Sequence, residues 1–199
     1  MRSMSRIPLP PAPGADDHPS LALVNSVVSL PGGRVADDLG SPAEATAWLV
    51  GQRLVPAETA LLAYCQDQLT RLRGNLRTLF TARVAGGAPA PEAVESVNQA
   101  LVKVPSAPLL QYDTGSGLRR VLRHPVTQLV EHAMAQIAED AAALLTGGQA
   151  ELIAQCEASS CDRFLLRTHA RRCWCSTRCG DRVRAARAYA RKLERAQAG

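Results

Sequence analysis

Apolar residues recur at helical spacing over most of this 199-residue chain. Between Pro56 and about Arg83 they mark one face of a helix at Leu62, Leu69, Leu72, Leu76, Leu79 and Phe80. From Pro125 onward they mark a second long helix at Leu129, Ala133, Ile137, Ala141, Leu144 and Leu145. A pair of glycines follows each stripe, as is common where helices end. The pattern predicts a mainly α fold with a small β component.

Capping and turn residues mark the shorter elements. Ser41, Pro42 and Glu44 form a capping-box pattern, which predicts a short helix that ends at about Gly51. A further helix is predicted from roughly residue 91 to residue 102. Residues 109–124 place two apolar or β-prone runs around a glycine-rich turn, and this arrangement predicts a β-hairpin.

The chain divides into three regions. Residues 1–20 hold five of the thirteen prolines and offer little to pack, so a flexible lead is predicted there. Residues 21–150 form a helical N-terminal domain, whose first ten residues fit either a strand or one face of a helix. Residues 151–199 form a small C-terminal unit. No stretch resembles a signal peptide or a membrane span of about 20 apolar residues, so a cytoplasmic protein is expected.

Four cysteines give the C-terminal unit its chemistry. Cys156, Cys161, Cys175 and Cys179 follow the pattern C-x4-C-x13-C-x3-C. Two thiol pairs that close a loop of this length are typical of structural zinc sites, in which four thiolates surround the metal and leave no open position. Cytoplasmic thiols stay reduced, which favours metal binding over disulfides. One structural zinc ion is therefore predicted.

The same spacing predicts how this unit folds. The second cysteine pair lies one turn apart on a helix that Ser176 caps, and the first pair forms a turn or knuckle. Between the pairs, residues 163–166 and 172–174 are predicted to pair as two short strands in a treble-clef-like arrangement. Phe164 and Trp174 would form its small core. In so small a unit the metal supplies much of the folding free energy, about 10 kcal/mol or more.

Positive charge is concentrated in the same region. Residues 156–199 carry 11 basic and four acidic side chains, a net charge of +7, whereas residues 1–155 carry 12 basic and 14 acidic ones, a net charge of −2. Arg184, Arg187, Arg191 and Arg195 share one side of the last helix, opposite an apolar face of Val183, Ala186, Ala190 and Leu193. Such a stripe can follow a phosphate backbone, although a solvated helix face gives the same pattern.

Signature residues give the C-terminal unit a resemblance to the CGNR zinc finger, a bacterial family. They are Trp174-Cys175-Ser176 and Cys179-Gly180-Asp181-Arg182, with Phe164 at the position of the family's aromatic. The region before it is similar to the ABATE domain that is usually joined to this finger, at Leu21–Asn25, Asp38-Leu39, Ser41-Pro42 and Trp48-Leu49. The resemblance implies a zinc-binding, stress-induced transcriptional regulator and supports DNA as its partner.

One signature position differs from the family. Asp181 stands where the CGNR signature has asparagine, so an acceptor-only carboxylate replaces an amide that can also donate. If this position touched a phosphate, Asp181 would weaken the contact, whereas a bracing position would change little, and the bracing role is favoured. Arg182 is expected to face the apolar side of the helix and to bridge to the N-terminal domain or to Asp162.

The leading hypothesis is a DNA-binding regulator whose N-terminal domain senses a signal or dimerises. The candidate nucleic-acid contacts are Arg178, Arg182, Arg184, Arg187, Arg191 and Arg195. A homodimer would enlarge the contact, because one small module buries little DNA surface. The alternatives are RNA binding and a protein-interaction module in which zinc staples the tail and the arginines meet an acidic partner.

The remaining cysteines and histidines are given structural interpretations. Cys173 is expected to be a free thiol, Cys65 a small core residue and His169 an exposed turn residue. His124 and His132 lie near one face of a helix, but no acidic partner makes them a metal pair. No nucleophile, phosphate-loop, dinucleotide or metalloprotease motif occurs, so an enzyme is not expected.

Overall fold

Helices make up most of the structure. The computed structural model describes residues 10–30, 32–104, 108–122, 128–169 and 171–197. In these ranges the elements follow in the order α1 (Pro19–Val24), β1 (Val27–Leu30), β2 (Arg34–Asp37), α2 (Pro42–Gly51), α3 (Ala63–Ala85), α4 (Pro91–Lys103), β3 (Pro108–Asp113), β4 (Gly117–Leu122), α5 (Leu129–Thr146), β5 (Ile153–Gln155), β6 (Phe164–Leu166) and α6 (Thr177–Gln197). Helix accounts for 55% and strand for 12%. The predicted mainly α fold is confirmed.

Three antiparallel hairpins supply the β component. β1 pairs with β2, β3 with β4, and β5 with β6. The β3–β4 pair is the hairpin predicted within residues 109–124, of which residues 123 and 124 lie outside the described ranges. Asp113 closes its turn, because the carboxylate accepts hydrogen bonds from the backbone of Gly115 and Ser116 at 2.9 and 3.0 Å. These bonds hold the pKa of Asp113 below its usual value.

The core of the N-terminal region lies where α1, α3, α4 and α5 pack together. The apolar stripes predicted for the two long helices supply most of it: Leu69, Leu72, Leu76, Leu79 and Phe80 of α3, and Ala133, Ile137, Ala141 and Leu144 of α5, are buried. Full burial of a leucine side chain stabilises the fold by about 1.5–3 kcal/mol relative to exposure. The stripe predicted from the sequence is therefore the stripe that holds the helices together.

Helix α3 begins later than the sequence predicts. The prediction placed its start near Pro56, but the described helix starts at Ala63, and Leu62 is exposed. The reason lies on α2, where the Thr46 hydroxyl accepts a hydrogen bond from the backbone N–H of Leu61 at 3.0 Å. This bond holds the preceding segment outside the helix. At the other end Gly86 has φ +66°, the left-handed conformation of a glycine C-cap, as predicted.

Two further predictions have clear outcomes. The stretch from residue 21 to residue 30 contains both alternatives, since α1 ends at Val24 and β1 starts at Val27. The capping box of α2 is confirmed: Ser41 Oγ accepts from the Glu44 backbone at 3.2 Å and donates to the Glu44 carboxylate at 3.0 Å. Pro125, predicted to open α5, lies outside the described residues, and the described helix begins at Leu129.

The N-terminal segment (residues 10–18) is packed against the rest of the chain. The prediction of an unpacked lead is therefore wrong for the described part of it. Ala12 and Ala15 are only 1% and 6% exposed, and the Pro13 carbonyl accepts a hydrogen bond from the backbone of Leu166 in β6 at 2.8 Å. Gly14 has φ +88°, and a Cβ there would lie 2.8 Å from the Leu166 side chain. Small residues let the segment lie directly on β6.

A carboxylate on α5 anchors the start of α1. Asp140 accepts hydrogen bonds from the backbone N–H of Ser20 at 2.9 Å, from the Ser20 hydroxyl, and from Nδ1 of His18 at 2.8 Å. Because the first N–H groups of a helix have no partner within it, Asp140 caps α1 from another element. No helix in the described ranges is long and apolar enough to cross a membrane.

Candidate metal centre and basic helix

The first cysteine pair sits in the turn of the β5–β6 hairpin. Gln155 pairs with Phe164 in the ladder, and one further bond runs from the Cys156 backbone N–H to the Arg163 carbonyl at 2.9 Å. Cys161 N–H then donates to the Ala158 carbonyl at 3.0 Å, which closes a tight turn. The hairpin thus forms the predicted knuckle and brings two thiols to its tip.

The second cysteine pair begins α6. The Ser176 hydroxyl accepts a hydrogen bond from the Cys179 backbone at 3.3 Å, so the predicted N-cap is confirmed. Cys175 precedes the cap, and its N–H donates to Cys156 Sγ at 3.4 Å. The i, i+4 spacing places Cys175 and Cys179 on the same side of the first turn.

The four predicted thiols meet in one cluster. Their Sγ atoms all lie within 4.8 Å of one another, and Cys175 Sγ is 3.7 Å from both Cys161 Sγ and Cys179 Sγ. A tetrahedron with Zn–S bonds of about 2.3 Å has sulfur–sulfur edges of about 3.8 Å. Cys156, Cys175 and Cys179 are buried and Cys161 is half-buried. The geometry fits one structural zinc ion with no open coordination position.

The clustered thiols change one another's ionisation. Hydrogen bonds with Cys161 and Cys175 lower the pKa of Cys156 below its usual range. The hydrogen bond with Cys156 raises the pKa of Cys161 and raises that of Cys175 to about 11. One thiolate is thus stabilised at the expense of its neighbours. Zinc binds thiolate rather than thiol, so it must displace the remaining protons, and binding is favoured by higher pH.

The strand partner predicted inside the finger is wrong. Residues 172–174 do not pair with residues 163–166, because β6 pairs with β5, which precedes the first cysteine. A backbone hydrogen bond from Glu157 N–H to the Cys173 carbonyl, at 3.0 Å, joins the segment before Cys175 to the turn of the β5–β6 hairpin. The apolar run from Ile153 explains why β6 pairs with β5, because β5 is mostly buried whereas residues 172–174 are half-exposed.

Two arginines approach the sulfurs from outside the cluster. Arg163 Nη1 lies 3.8 Å from Cys175 Sγ, and Arg182 Nη2 lies 3.5 Å from Cys179 Sγ. The predicted bridge from Arg182 to the N-terminal domain or to Asp162 is not found among the described contacts, in which Arg182 lies against Cys179. Asp162 instead accepts hydrogen bonds from Ser29 and Arg77. Both guanidinium groups lie where they can donate to a metal-bound sulfur, so both side chains are placed to support metal binding.

Strand β6 docks the finger onto the helical domain. Phe164 is 1% exposed, and its ring meets Phe80 of α3 edge-to-face with centroids 5.6 Å apart. The Asn25 side chain donates to the Phe164 carbonyl at 2.9 Å and accepts from its N–H at 2.8 Å. The Arg77 guanidinium lies 5.6 Å from the Phe164 ring centroid and donates to the carbonyls of Val24 and Asp162. The finger and the helices share one core.

Two family models match consecutive parts of the chain. Residues 17–148 match a family named ABATE and described as "Putative stress-induced transcription regulator". The chain belongs to the ABATE family. Residues 153–192 match the CGNR zinc finger, so the resemblance in both parts is confirmed. The CGNR match and the four-cysteine cluster together identify one structural zinc as the cofactor. No curated protein matches the chain.

Only the beginning of α6 packs against the rest of the CGNR finger. Cys179 and Gly180 are the buried residues of this helix, and residues 184–197 are all exposed. Of the predicted nucleic-acid contacts, Arg182 is half-buried, and the exposed ones are Arg178, Arg184, Arg187, Arg191 and Arg195. Of the apolar face predicted opposite them, Val183 is partly buried against the core, whereas Ala186, Ala190 and Leu193 are exposed, and the neighbouring Tyr189 is 65% exposed. After its first two turns the helix projects from the ABATE domain and the finger.

Asp181 forms an ion pair on the exposed side of α6. Its carboxylate accepts a hydrogen bond from Arg184 at 2.6 Å, and the Arg184 guanidinium lies 5.7 Å from the Trp174 ring centroid. Gly180 permits this arrangement, because a Cβ there would lie 3.0 Å from the Trp174 ring and 3.1 Å from Arg184. The pair lies against Trp174 of the finger, which is compatible with the favoured bracing role, and it neutralises the first arginine of the stripe.

The other singled-out side chains lie apart from the metal centre. Cys65 is partly buried against the core of the ABATE domain, and Cys173 is half-buried outside the four-thiol cluster. His169 is exposed and His132 is buried, whereas His124 lies outside the described residues. Within the described ranges, no second group of three or more histidine, cysteine or acidic residues has the geometry of a metal site.

Proposed function

We propose that this ABATE-family protein is a regulator that binds duplex DNA through the arginine face of α6. The observation that carries the proposal is the exposure of Arg187, Arg191 and Arg195 on a helix that the zinc cluster holds at its start. An arginine face packed against the N-terminal domain would have favoured a purely structural role for the finger. The open face favours contact with an external polyanion.

The spacing of these three arginines suits a phosphate backbone. Each is four residues from the next, which places them about 6 Å apart along the helix axis. Two nucleotide steps of one DNA strand advance by about 6.8 Å. A row of guanidinium groups at this interval can follow every second phosphate of one strand, and it contributes affinity without reading sequence.

The remaining candidates have a smaller proposed share in DNA binding. Arg184 is already engaged by Asp181 and Trp174, and Arg182 lies against the Cys179 sulfur. Arg178 is exposed on the first turn of α6, close to the body of the protein. We therefore assign the main contact to Arg187, Arg191 and Arg195 and a supporting contact to Arg178.

A homodimer is the proposed DNA-bound state. One helix face of about three turns covers little DNA, whereas specific complexes bury roughly 1,000–2,500 Å² of protein surface. Two copies on one duplex would double the contact. The ABATE domain would supply the pairing surface or respond to a signal, since the finger is fixed to its helix α3 through Phe164 and Phe80.

Binding measured by fluorescence anisotropy on a labelled duplex tests the proposal. The triple change Arg187→Ala, Arg191→Ala and Arg195→Ala is expected to weaken binding about 100-fold, roughly 1 kcal/mol for each lost contact. The logarithmic salt dependence should flatten by almost three counterions, because each phosphate contact releases nearly one. The control triple Arg71→Ala, Lys103→Ala and Arg119→Ala removes the same charge at exposed positions elsewhere.

Three outcomes would contradict DNA binding through α6. They are an affinity that salt does not change, a loss equal in the two triple variants, and a preference for RNA over duplex DNA of the same sequence. The zinc content must stay at one ion per chain in both variants, so that a lost finger is not mistaken for a lost contact.

A protein partner is the second candidate, and one observation favours it. The apolar face of α6 exposes Tyr189 and Leu193 beside the arginines, and DNA does not need this face. A partner that is both acidic and apolar would cover both sides of the helix. In that case the change of Tyr189 and Leu193 to serine would abolish partner binding and leave any DNA affinity unchanged.

A further inference from the structure

Arg163 is a buried cation in an unusual setting. It comes two residues after Cys161 in the sequence, and it is only 5% exposed. Buried arginines are normally paired with a carboxylate, because an uncompensated charge is costly to remove from water. In the described part of the chain, the hydrogen bonds of Arg163 reach Cys175 Sγ and the Pro10 carbonyl instead. The charge that balances Arg163 is therefore expected to come from the sulfur.

The metal cluster supplies this charge when zinc is bound. Zn²⁺ with four thiolates carries a net charge of −2. Arg163 and Arg182 each place one guanidinium beside a different sulfur of the cluster, at 3.8 and 3.5 Å. Two positive charges thus face two negative ones in a largely buried setting.

The other end of the Arg163 guanidinium holds the N-terminal segment. Nη2 donates to the Pro10 carbonyl at 2.8 Å, where the segment reaches the finger. Three residues later the Pro13 carbonyl accepts from the Leu166 backbone, and Gly14 lies against the Leu166 side chain. The segment is therefore attached to the finger at two places, and only the Pro10 attachment depends on a side chain next to the cysteines.

We propose that Arg163 couples zinc binding to the docking of the N-terminal segment. Contact with the Cys175 sulfur, which a bound metal fixes in place, holds the guanidinium in the position from which Nη2 donates to the Pro10 carbonyl. The docked segment in turn keeps the guanidinium against the sulfur and covers that side of the cluster. Coupling of this kind is reciprocal. A variant that weakens zinc binding therefore also weakens the docking of the N-terminal segment, and a variant that weakens the docking also weakens zinc binding. The proposal does not depend on DNA binding.

Hydrogen exchange and zinc release, measured on the full chain, test the coupling. Arg163→Met, loaded with zinc, is expected to raise the exchange rate of the amides of residues 12 and 14–18 about tenfold and to speed zinc transfer to a chelator about tenfold. Arg182→Met is the matched control, because it removes the guanidinium beside Cys179 but does not touch the segment. It should speed zinc release while the exchange of residues 12–18 stays as in the wild type.

A second variant tests the reverse direction with Arg163 intact. Gly14→Ala introduces a Cβ 2.8 Å from the Leu166 side chain at a backbone φ of +88°, so the segment is expected to detach from β6. Zinc release should then accelerate about threefold or more. The coupling is overturned if Arg163→Met leaves the exchange of the segment unchanged, or if Arg182→Met raises it equally. It is also overturned if Gly14→Ala loosens the segment without changing zinc release. If Arg163→Met does not fold, the rate of zinc release from Gly14→Ala by itself tests the coupling.

Discussion

Replacement of Cys179 by serine is expected to remove zinc from the protein and to unfold the CGNR finger. Cys179 supplies one of four sulfurs that lie within 4.8 Å of one another, and it also stands on the first turn of α6. Structural zinc contributes on the order of 10 kcal/mol in small fingers, so three remaining ligands cannot maintain this fold. Metal analysis should give less than about 0.1 zinc per chain, and circular dichroism should show lost helix.

The matched control for this change is Cys173→Ser. Cys173 lies two residues before Cys175 but outside the cluster, so its loss should leave one zinc per chain and the melting temperature unchanged. If Cys173→Ser also lost the metal, or if Cys179→Ser kept a full equivalent of it, the assignment of the four ligands would be wrong.

Phe164→Ala is expected to destabilise the whole zinc-loaded protein by about 3–5 kcal/mol. Its ring fills the contact between β6 and α3, where it meets Phe80 and lies beneath Arg77. For a protein of this size, 1 kcal/mol corresponds to roughly 2–4 °C, so the melting temperature should fall by about 10 °C. Thermal unfolding followed by circular dichroism for helix and, in a Trp48→Phe background, by the fluorescence of Trp174 gives both the size and the cooperativity of the loss.

Trp174→Ala serves as the comparison for Phe164→Ala. Trp174 is only half-buried, and its ring lies beside Arg184 and Gly180 of the finger. Its loss should cost less than half as much. Two separate unfolding transitions in the wild type, with only the finger affected by Phe164→Ala, would show that the two parts do not share a core.

Short sequence patterns were sufficient to predict the features that depend on neighbouring residues of one element. The capping box at Ser41, the left-handed Gly86 and the leucine stripe of α3 each act within a few residues, and the structure contains all three. The zinc ligands were also predictable, because thiolate chemistry restricts both residue type and spacing. These features depend on short sequence separations that a pattern can capture.

Long-range partners could not be predicted in the same way. Asn25 binds the backbone of Phe164 across 139 residues, and Arg163 binds Pro10 across 153. No pattern in the residues of the N-terminal segment indicates that β6 will lie beneath it. The pairing of β5 with β6 in place of residues 172–174 is a similar case, since short apolar runs are interchangeable until the burial of each is known.

Like charges follow one another along the free part of α6. Arg187, Arg191 and Arg195 are each separated by one helical turn, and each such pair destabilises an isolated helix by about 0.2–0.5 kcal/mol. A free helix of fewer than about 15 residues is already marginal in water. A polyanion that neutralised this row would remove the repulsion and stabilise the last turns of α6, which extend as helix to Gln197. The affinity for such a partner would then include the free energy of stabilising these turns.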